Sequence, residues 1–421
     1  MYTPEHVFVY DGVKKSRRTE DLLSKFPKAK VSYIDNQAPN YIRSIVERIY
    51  GKPETLGQVI NRSKKTLVVG SGSKQSFVDK FVNEWDCICP SFYSITPMSN
   101  GCFYSCEFCY LQLTYRGIYP YMKANINLED LESAIKDTVV REHKKNPEKR
   151  VNFNCGEKLD SLAFDKYFNT TGRLLPLFGE KKLARAELLL LTKSEETDGL
   201  IDYAGKHGAP PNVVVSWSLN GTDAAVRFEH DAPTPRRRLF AAKRCENAGY
   251  RIRLRIDPMI YREGWKEDYR RLIGDMADLG IKPEVITIGS LRFDGGLPSI
   301  SRNRFPNSSL FKYSFIVEGK DKYRYKPEHR TEMYRFAIDE IRKQYAARGL
   351  RQPAIGLCKE KSDVWKRSGL TLKDGACNCC GSWSDKKPET ETLKVERPAP
   401  QKQTEQKKNI FHSNCKLSTF R

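Results

Sequence analysis

The chain contains no apolar run of transmembrane length, and its first residues lack the apolar core of a secretory signal peptide. These two absences argue against a membrane-spanning protein and against export. Twelve cysteines in a chain without an export signal indicate a reducing compartment rather than disulfide bonds. We therefore expect a cytoplasmic protein with no membrane partner.

Negative charge is scarce, because 52 Asp and Glu stand against 73 Lys and Arg and leave a net charge of +21. An excess of this size is typical of proteins with a polyanionic partner, and nucleic acid is the first candidate. The alternatives are that the charge only confers solubility, or that it serves an anionic membrane surface. No basic amphipathic helix stands out, so the composition favours nucleic acid.

Three cysteines lie close together, Cys102, Cys106 and Cys109, with the spacing C-x3-C-x2-C. Three thiolates at this spacing can hold three irons of a 4Fe–4S cluster and leave the fourth iron without a protein ligand. The alternatives are a zinc site or unrelated thiols. Zinc sites usually show two separated pairs of Cys or His, and no fourth ligand lies near this aromatic run. The spacing therefore predicts a cluster, and it is typical of enzymes that cleave S-adenosylmethionine at the open iron.

From about residue 96 to 290, buried strands alternate with amphipathic helices. Repeated β-α units with buried strands indicate a parallel sheet in an α/β fold. About six strands indicate an open, partial (β/α)6-type barrel, with functional residues at the C-terminal ends of the strands. The best-defined strands are predicted at 151–155, 187–192, 213–219, 252–256 and 285–288.

The rest of the chain divides around this region. An N-terminal α/β extension with a buried strand at 66–70 comes before it. A C-terminal part with an aromatic, basic β-hairpin at 310–326 and a helix comes after it. The predicted segments are 1–95 (N-terminal α/β domain), 96–290 (partial barrel), 291–350 (DNA-binding hairpin and helix), 351–383 (Cys-rich extension) and 384–421 (disordered tail).

Capping residues mark two helix boundaries. Thr234 is expected as an N-cap with Pro235 at the first helical position, and Gly249 is expected just past the end of the same helix. Thr331 is expected to cap the helix that follows the hairpin. These signals place helices on both sides of the last two predicted strands.

The cluster run continues as Cys-Tyr-Leu-Gln at 109–112, and other segments form a collinear set with it. Over roughly residues 5–350 the chain resembles the spore photoproduct lyase family of radical S-adenosylmethionine enzymes. The three-cysteine motif alone is typical of the whole superfamily, whereas the collinear set favours this family. The matching segments are TLVVG at 66–70, LTK at 191–193, WSLN at 217–220, RFE at 227–229, AGY at 248–250 and PMIYREGW at 258–265.

The resemblance implies an activity, the reversal of a thymine dimer joined through a methylene bridge in DNA. The implied cofactors are the 4Fe–4S cluster and S-adenosylmethionine, which together give a 5′-deoxyadenosyl radical. That radical would take hydrogen from C6 of the lesion, and the bridging carbon–carbon bond would then break by β-scission. The implied partners are lesion-bearing DNA and an electron donor such as flavodoxin or ferredoxin.

The resemblance also implies catalytic residues. Cys155 matches the cysteine that donates hydrogen to the remaining thymine radical, although a strand-end cysteine is otherwise usually a small buried hydrophobe. Tyr110 matches one of the tyrosines that return the radical toward 5′-deoxyadenosine. Phe108 stands where another tyrosine is expected and has no O–H, so Tyr110 alone, or Tyr104, would serve.

Cofactor contacts are implied at three positions. Lys193 matches a lysine that pairs with the cofactor carboxylate, and Ser218 matches a nearby serine. Glu157 follows Gly156 at a strand end, where superfamily members often bind the cofactor amino group. Taken alone, a strand-end lysine is usually solvated.

The hairpin suits contact with DNA. Chemistry at C6 of a stacked thymine requires extruded bases, hence inserted aromatic side chains and phosphate contacts. The alternative is a solvated hairpin with one core face, because alternation along strands buries some aromatic residues anyway. The predicted DNA contacts are Arg302, Arg304, Lys312, Tyr313, Lys320, Lys322, Tyr323 and Arg324.

The cysteines outside the cluster run allow several interpretations. Cys87 and Cys89 form a pair, and two thiols alone are more often packing residues than ligands. A second group lies in the segment 351–383 and is suited to a second cluster, to a zinc ion or to packing, although its C-x-C-C part is poor zinc spacing. This group is Cys358, Cys377, Cys379 and Cys380.

Three hypotheses for the function follow. The first is a lyase that repairs the methylene-bridged thymine dimer. The second is a radical enzyme that modifies or isomerises a thymine derivative in DNA, which would not need a hydrogen-donor cysteine. The third is a non-enzymatic nucleic-acid-binding protein with an iron–sulfur cluster, which would leave the cofactor-contact residues without a purpose.

Overall fold

The computed structural model of the chain describes residues 2–35, 44–45, 47–48, 51, 55–81, 83, 87–99, 101–114, 121–319, 321–372 and 375–382. Its strands are β1 (His6–Tyr10), β2 (Lys30–Ile34), β3 (Thr66–Gly70), β4 (Val78–Lys80), β5 (Tyr93–Ile95), β6 (Met98–Ser99), β7 (Ser105–Cys106), β8 (Met122–Asn125), β9 (Val151–Asn154), β10 (Ala186–Thr192), β11 (Val213–Leu219), β12 (Glu229–His230), β13 (Arg251–Met259), β14 (Val285–Ser290), β15 (Arg292–Asp294), β16 (Phe315–Val317), β17 (Lys322–Tyr325), β18 (Ala354–Leu357), β19 (Ala376–Cys377) and β20 (Gly381–Ser382).

Helices alternate with these strands. They are α1 (Arg17–Ser24), α2 (Leu56–Ser63), α3 (Lys74–Phe77), α4 (Leu111–Thr114), α5 (Leu128–Lys145), α6 (Asp165–Phe168), α7 (Thr171–Gly179), α8 (Asp198–His207), α9 (Thr222–Phe228), α10 (Pro235–Asn247), α11 (Trp265–Asp278), α12 (Leu297–Arg304), α13 (Pro327–Ala347) and α14 (Ser362–Arg367). Short 3-10 helices occupy Asp11–Val13 and Lys181–Leu183. Within the described ranges, no helix combines the length and apolar character that a membrane crossing requires.

The largest sheet holds eight strands in the order β18-β14-β13-β11-β10-β9-β5-β4. Neighbouring strands are parallel, except that β4 runs antiparallel to β5. Strands β10 and β11 are buried along their whole length, because their runs AELLLLT and VVVSWSL are largely apolar. The five strands predicted between 151 and 288 are confirmed as β9, β10, β11, β13 and β14. The chain has a mixed α/β fold.

Three strands of this sheet come from outside the predicted segment 96–290, namely β4, β5 and β18. Strand β5 precedes the cluster run and pairs in parallel with β9. Strand β18 lies in the segment 351–383 and pairs in parallel with β14. The two edge strands of the described sheet are therefore β18 and β4, and they come from opposite ends of the chain.

The two faces of the large sheet are covered differently. One face contributes Leu188 and Leu190 to the main core, which also includes apolar residues of the helices. The opposite face, with Leu189 and Leu191, packs against the hairpin formed by β19 and β20. The cysteines of this hairpin, including Cys379, therefore face the sheet rather than solvent.

A second sheet is built from the N-terminal part of the chain, in the order β2-β1-β3-β8-β6. The predicted strand at 66–70 is confirmed as β3, which is buried at every position and lies between β1 and β8. Strand β8 brings the sequence just after the cluster run back to this sheet. The N-terminal sheet and the cluster run are therefore directly connected.

The predicted hairpin is confirmed, and a third strand joins it. Strands β16 and β17 pair antiparallel, and β15 pairs antiparallel with the other edge of β17. Tyr325 in β17 is buried, whereas Val317 in β16 is exposed. One side of this small sheet is therefore turned into the protein.

Helix boundaries follow the capping signals in one of two cases. Thr234 accepts a hydrogen bond from a first-turn N–H at 3.4 Å, Pro235 is the first residue of α10, and Gly249 has a φ of +92°. Helix α13 differs, because it begins at Pro327 and Thr331 lies inside it. The fixed φ of proline suits the first helical position, so this helix begins before the threonine.

Candidate active site

The three cysteines of the cluster run lie on one folded loop between β6 and α4. Strand β7 within the loop pairs antiparallel with β12. Cys106 is buried, and Cys102 and Cys109 are partly buried. All three thiols belong to one apolar cluster with Tyr104 and Ala163. The pairing with β12 therefore holds the loop, and the three thiols on it, against the body of the protein.

Lys64 supports this loop from the turn after α2. Its Nζ donates hydrogen bonds to the carbonyl of Phe103 at 3.3 Å, to Ser105 Oγ at 3.2 Å and to the carbonyl of Tyr104. Burial lowers the pKa of Lys64, and a thiolate at Cys102 would oppose that shift. Sequence reasoning missed this residue, because nothing in its neighbourhood along the chain connects it to the loop.

The donor set suits an iron–sulfur cluster. Burial raises the pKa of Cys106 to about 12, and Lys193 partly opposes this shift. The metal-free thiol is therefore protonated, and it would lose its proton on binding iron. Among the described residues, no group of three or more His, Cys, Asp or Glu side chains surrounds a single ion position. A 4Fe–4S cluster makes a different demand, since it takes one thiolate per iron.

Lys193 and Ser218 meet at the carboxyl ends of β10 and β11. Lys193 Nζ donates to Ser218 Oγ at 2.8 Å, and Ser218 Oγ donates to the carbonyl of Asp257 at 3.2 Å. The same Nζ lies 5.7 Å from the ring centre of Phe108 in the cluster loop and 3.9 Å from Glu229 Oε1. The parallel pairing of β10 and β11 thus brings two of the predicted cofactor contacts together beside the loop.

A buried ion pair between Arg238 and Glu229 supports the contact between Lys193 and Ser218. Arg238 Nη2 lies 2.6 Å from Glu229 Oε2, and the two side chains are 0% and 1% exposed. Arg238 Nη1 also donates to the carbonyl of Ser218 at 3.0 Å. Burial works against ionisation of Glu229, but Arg238 and Lys193 outweigh it and lower its pKa. Neither Glu229 nor Arg238 was predicted as a site residue, although Glu229 lies in a segment that matches the family.

Asp160 ties the segment after β9 to the end of β10. Its carboxylate accepts hydrogen bonds from the backbone N–H of Lys193 at 2.6 Å and from Thr192 Oγ1 at 2.5 Å. It also accepts from the backbone N–H groups of Leu162 and Ala163 at 3.1 and 2.9 Å. Sequence reasoning missed Asp160 as well, and its position five residues after Cys155 was the available signal.

Cys155 lies directly after β9 and is buried in the main core, with 1% of its surface exposed. Its backbone N–H donates to the carbonyl of Leu189 at 2.9 Å, and its own carbonyl accepts from Ser161 Oγ at 2.5 Å. Burial raises the pKa of the Cys155 thiol to about 12, so the S–H bond is retained at neutral pH. The burial of Cys155 is typical of a cysteine that only packs in a core, whereas its retained S–H bond is what a hydrogen donor needs.

Tyr110 and Glu157 contact each other across the two loops. Tyr110 is 43% exposed. Its hydroxyl donates to the backbone carbonyl of Glu157. The Glu157 carboxylate lies 4.0 Å from Lys359 Nζ. The predicted residues Tyr110 and Glu157 are thus brought together, and Glu157 also borders a pocket that contains Arg255 and Cys358.

The predicted DNA contacts fall into distinct groups. Arg302 and Lys312 are exposed. Lys322 Nζ pairs with Asp294, and the Tyr323 ring stacks on Phe293 with centroids 5.5 Å apart. Tyr313 Oη accepts a hydrogen bond from the Glu263 backbone N–H at 3.2 Å. Lys320 lies outside the described residues.

Two of the predicted contacts are arginines that are buried inside the protein. Arg304 is 9% exposed, and its guanidinium donates to Gln112 Oε1 at 2.7 Å. Arg324 is 2% exposed and lies 3.0 Å from Glu360 Oε1. Alternation along β17 turns Arg324 inward, where a carboxylate compensates its charge. These two arginines hold protein segments together and do not face solvent.

These features define a class: a mixed α/β chain with a three-thiol loop beside the carboxyl ends of parallel strands. The family model described as spore photoproduct lyase matches residues 2–350. The chain belongs to the spore photoproduct lyase family.

Individual relatives agree with this assignment. The spore photoproduct lyase of Clostridium acetobutylicum is 28% identical over 300 residues, which cover 70% of this chain and 83% of that protein. The Bacillus subtilis spore photoproduct lyase is 26% identical over 271 residues, 64% of this chain and 72% of that protein. A solved spore photoproduct lyase mutant with bound AdoMet and dinucleoside spore photoproduct has a TM-score of 0.66 and 23% identity, covering 85% of this chain and 98% of that one. The structural likeness shows a shared fold.

Proposed function

We propose that this chain is a radical S-adenosylmethionine lyase that reverses the methylene-bridged thymine dimer, the spore photoproduct, in DNA. Membership of the family and the named activity of its relatives support the proposal. A solved relative carries the dinucleoside spore photoproduct. The observation that carries the proposal for this chain is the contact between the three-cysteine loop and the Lys193–Ser218 pair.

The residues of the loop and the strand ends would hold the cofactors. Cys102, Cys106 and Cys109 would ligate three irons of a 4Fe–4S cluster. When bound, that cluster and S-adenosylmethionine supply the radical that removes hydrogen from the substrate. Lys193 Nζ would pair with the cofactor carboxylate. Ser218 Oγ, which accepts a hydrogen bond from Lys193 Nζ at 2.8 Å, would hold the lysine side chain in place. Glu157 would accept from the cofactor amino group.

The other residues would manage hydrogen and charge. Cys155 would donate its thiol hydrogen to the thymine radical left after bond cleavage, and its raised pKa keeps that hydrogen in place. The Tyr110 hydroxyl would return the radical toward the cofactor. The buried Lys64 ammonium would offset part of the negative charge of the ligated loop. A partial barrel would place all these groups around one opening at the strand ends.

The partners follow from charge and chemistry. The net charge of +21 suits DNA, and the exposed Arg302 and Lys312 are the predicted contacts best placed to reach phosphates. Each turnover needs an electron for the cluster, for which a flavodoxin or ferredoxin would serve. A DNA substrate and such a reducing partner would suit a protein of the cytoplasm.

The test is repair of a defined lesion. The full chain, reconstituted and reduced without oxygen, should convert a lesion-bearing oligonucleotide to one with two adjacent intact thymines. Chromatography of the digested product measures the conversion, and a Cys102→Ala/Cys106→Ala/Cys109→Ala variant is the control. If wild type cleaves S-adenosylmethionine but leaves the lesion intact, the proposal is wrong. If it cleaves none, the result would support the third hypothesis, a non-enzymatic nucleic-acid-binding protein with an iron–sulfur cluster.

One observation favours a second candidate. Cys155 is enclosed in the main core, where a donor to a DNA substrate is not expected. A radical enzyme that modifies or isomerises a thymine derivative in DNA would keep the loop and the Lys193–Ser218 pair but would not need that donor. Product analysis in the same assay separates the two, because only the lyase releases two unmodified thymines.

A further inference from the structure

Four thiols line one pocket on the face of the large sheet that the β19–β20 hairpin covers. They are Cys89, Cys358, Cys377 and Cys379, and Arg255 and Glu157 line the same pocket. They come from three distant parts of the chain: the run before β5, the end of β18 and the hairpin itself. None of the cysteines in the described part of the chain is in a disulfide.

The pocket carries an excess of positive charge. Arg255 Nη2 and Arg292 Nη2 each donate to Cys358 Sγ at 3.3 Å. The same two guanidinium groups share one carboxylate, Asp257, at 2.5 and 2.9 Å. Their side chains are only 14% and 13% exposed, so two nearly buried cations face a single anion. Buried charge of this kind requires further compensation, and thiolates in the pocket would provide it.

The hairpin that brings two of the thiols is held firmly against the sheet. Arg253 Nη1 donates to the Asn378 carbonyl at 2.7 Å, and Ser216 Oγ donates to Asn378 Oδ1 at 2.7 Å. A Cβ atom on Gly356 of β18 would lie 1.8 Å from the carbonyl oxygen of Ala376. Only glycine permits this approach. The convergence of the thiols is therefore built into the strands below them.

We propose that Cys89, Cys358, Cys377 and Cys379 hold a second iron–sulfur cluster, with every iron site ligated by the protein. Four thiolates are the usual ligand set of both [2Fe–2S] and [4Fe–4S] clusters. Each thiol would lose its proton to solvent on binding iron. The cluster would carry negative charge, which Arg255 and Arg292 would balance.

The ligand count separates this centre from the three-cysteine loop. The three loop thiols would leave one iron open for a small molecule, whereas the four pocket thiols would leave none. The pocket is therefore suited to storing or passing an electron rather than binding substrate. Hydrogen bonds from Arg255 and Arg292 to Cys358 Sγ would raise the reduction potential of the cluster. Glu157 borders the pocket and its carbonyl accepts from Tyr110, so the two sites are neighbours.

A variant without the loop thiols tests the proposal independently of lyase activity. Full-length Cys102→Ala/Cys106→Ala/Cys109→Ala protein, reconstituted without oxygen, should retain about two to four irons with equal sulfide and give an electron paramagnetic resonance signal in one redox state. Adding Cys89→Ala and Cys358→Ala should remove that iron. Protein without iron, or with zinc in its place, would overturn the proposal.

A matched control separates loss of ligands from loss of folding. Cys245 in α10 is also buried, but it belongs to the main core and does not line the pocket. Adding Cys245→Ala to the loop variant should leave iron and sulfide unchanged. Circular dichroism shows whether the five-alanine variant is folded. If it is unfolded, the iron and sulfide content of the three-alanine loop variant alone tests the proposal.

Discussion

The three-cysteine loop and the four-thiol pocket assemble their sulfur atoms in different ways. In the loop, three thiols fall within eight residues of sequence. In the pocket, Cys89, Cys358 and the β19–β20 hairpin meet only because β18 joins the large sheet. Spacing along the chain therefore finds the first site, and only the fold finds the second. Substitutions in the local motif and substitutions at residues that only the fold brings together should therefore have different effects.

The largest effect is expected from a thiol of the local motif. Cys106→Ala leaves two thiols for a cluster that needs three, so cleavage of S-adenosylmethionine should fall by about a thousandfold, roughly 4 kcal/mol. The measurement is 5′-deoxyadenosine formed per minute by reduced protein. Cys245→Ala, at an equally buried cysteine, should keep the wild-type rate. Equal rates for Cys106→Ala and wild type would show that the motif is not the cluster site.

The next effect is on stability, from a pair that only the fold brings together. Glu229→Gln leaves the Arg238 guanidinium buried without a carboxylate, so the free energy of unfolding should fall by about 3–5 kcal/mol. Urea unfolding of the metal-free chain measures it. Glu129→Gln, at a carboxylate that is 64% exposed, is the matched control and should cost about 1 kcal/mol or less. Similar losses in the two variants would contradict the importance of burial.

Acid should act on the same buried pair. The pKa of Glu229 is lowered from its ordinary value of 4.5, since Arg238 and Lys193 outweigh burial. A carboxyl group with a lowered folded-state pKa stabilises the fold above its unfolded-state pKa, and this contribution is lost as the pH falls further. Stability of the wild type should therefore decline below about pH 4.5, and Glu229→Gln should show a shallower decline. Parallel pH profiles would contradict this account.

Removal of the Lys193 charge should weaken cofactor binding. Lys193→Met loses a charge-assisted contact worth about 1.5–3 kcal/mol, so the Kd for S-adenosylmethionine should rise roughly 10- to 100-fold. Calorimetry on the reconstituted protein measures Kd, and iron content should not change. Lys193→Arg keeps the charge and should lose less affinity. An unchanged Kd in Lys193→Met would remove the lysine from the cofactor site.

Cys155→Ala should alter the product more than the rate of cofactor cleavage. Without the thiol hydrogen, the thymine radical should be quenched by other groups, and clean repair should fall about tenfold, roughly 1.4 kcal/mol. Mass spectrometry of the digested DNA detects the misquenched adducts. Clean repair at the wild-type rate would assign Cys155 to packing.

The smallest effect is expected at the exposed basic residues. Arg302→Gln and Lys312→Gln should each reduce the salt dependence of DNA binding by about one phosphate contact and leave stability unchanged. Fluorescence titration at several salt concentrations gives the slope. Arg324→Gln is the contrasting variant, because it removes a buried partner of Glu360 and should lower stability instead. An unchanged slope in both exposed variants would move the DNA surface elsewhere.

Much of the fold could be predicted because it depends on local pattern. The apolar runs of β10 and β11 and the capping residues Thr234 and Gly249 each reflect interactions within a few residues. Lys193 and Ser218 were found through the resemblance to the family, and they meet in the structure because parallel neighbours end at the same edge of a sheet. Helix α13 shows where local pattern fails. Pro327 and Thr331 are both typical residues at the start of a helix, and the helix begins at the proline.

The remaining site residues depend on contacts between distant segments. Lys64 reaches the cluster loop across about 40 residues, and its role follows only from the packing of α2 beside that loop. Arg324 is a basic residue of the kind that contacts DNA. Its side chain is nevertheless on the buried face of β17, because β17 pairs with β15 in this register and Glu360 compensates the charge. Cys89 shares its pocket with Cys358 through the topology of the sheet. No spacing rule covers such contacts.

Hydrogen transfer from the lesion tests the central claim most directly. An oligonucleotide lesion carrying deuterium at C6 would be incubated with reduced protein and S-adenosylmethionine without oxygen. The account predicts deuterium in the 5′-deoxyadenosine and two adjacent intact thymines in the DNA. Deuterium-free 5′-deoxyadenosine beside an intact lesion would contradict it.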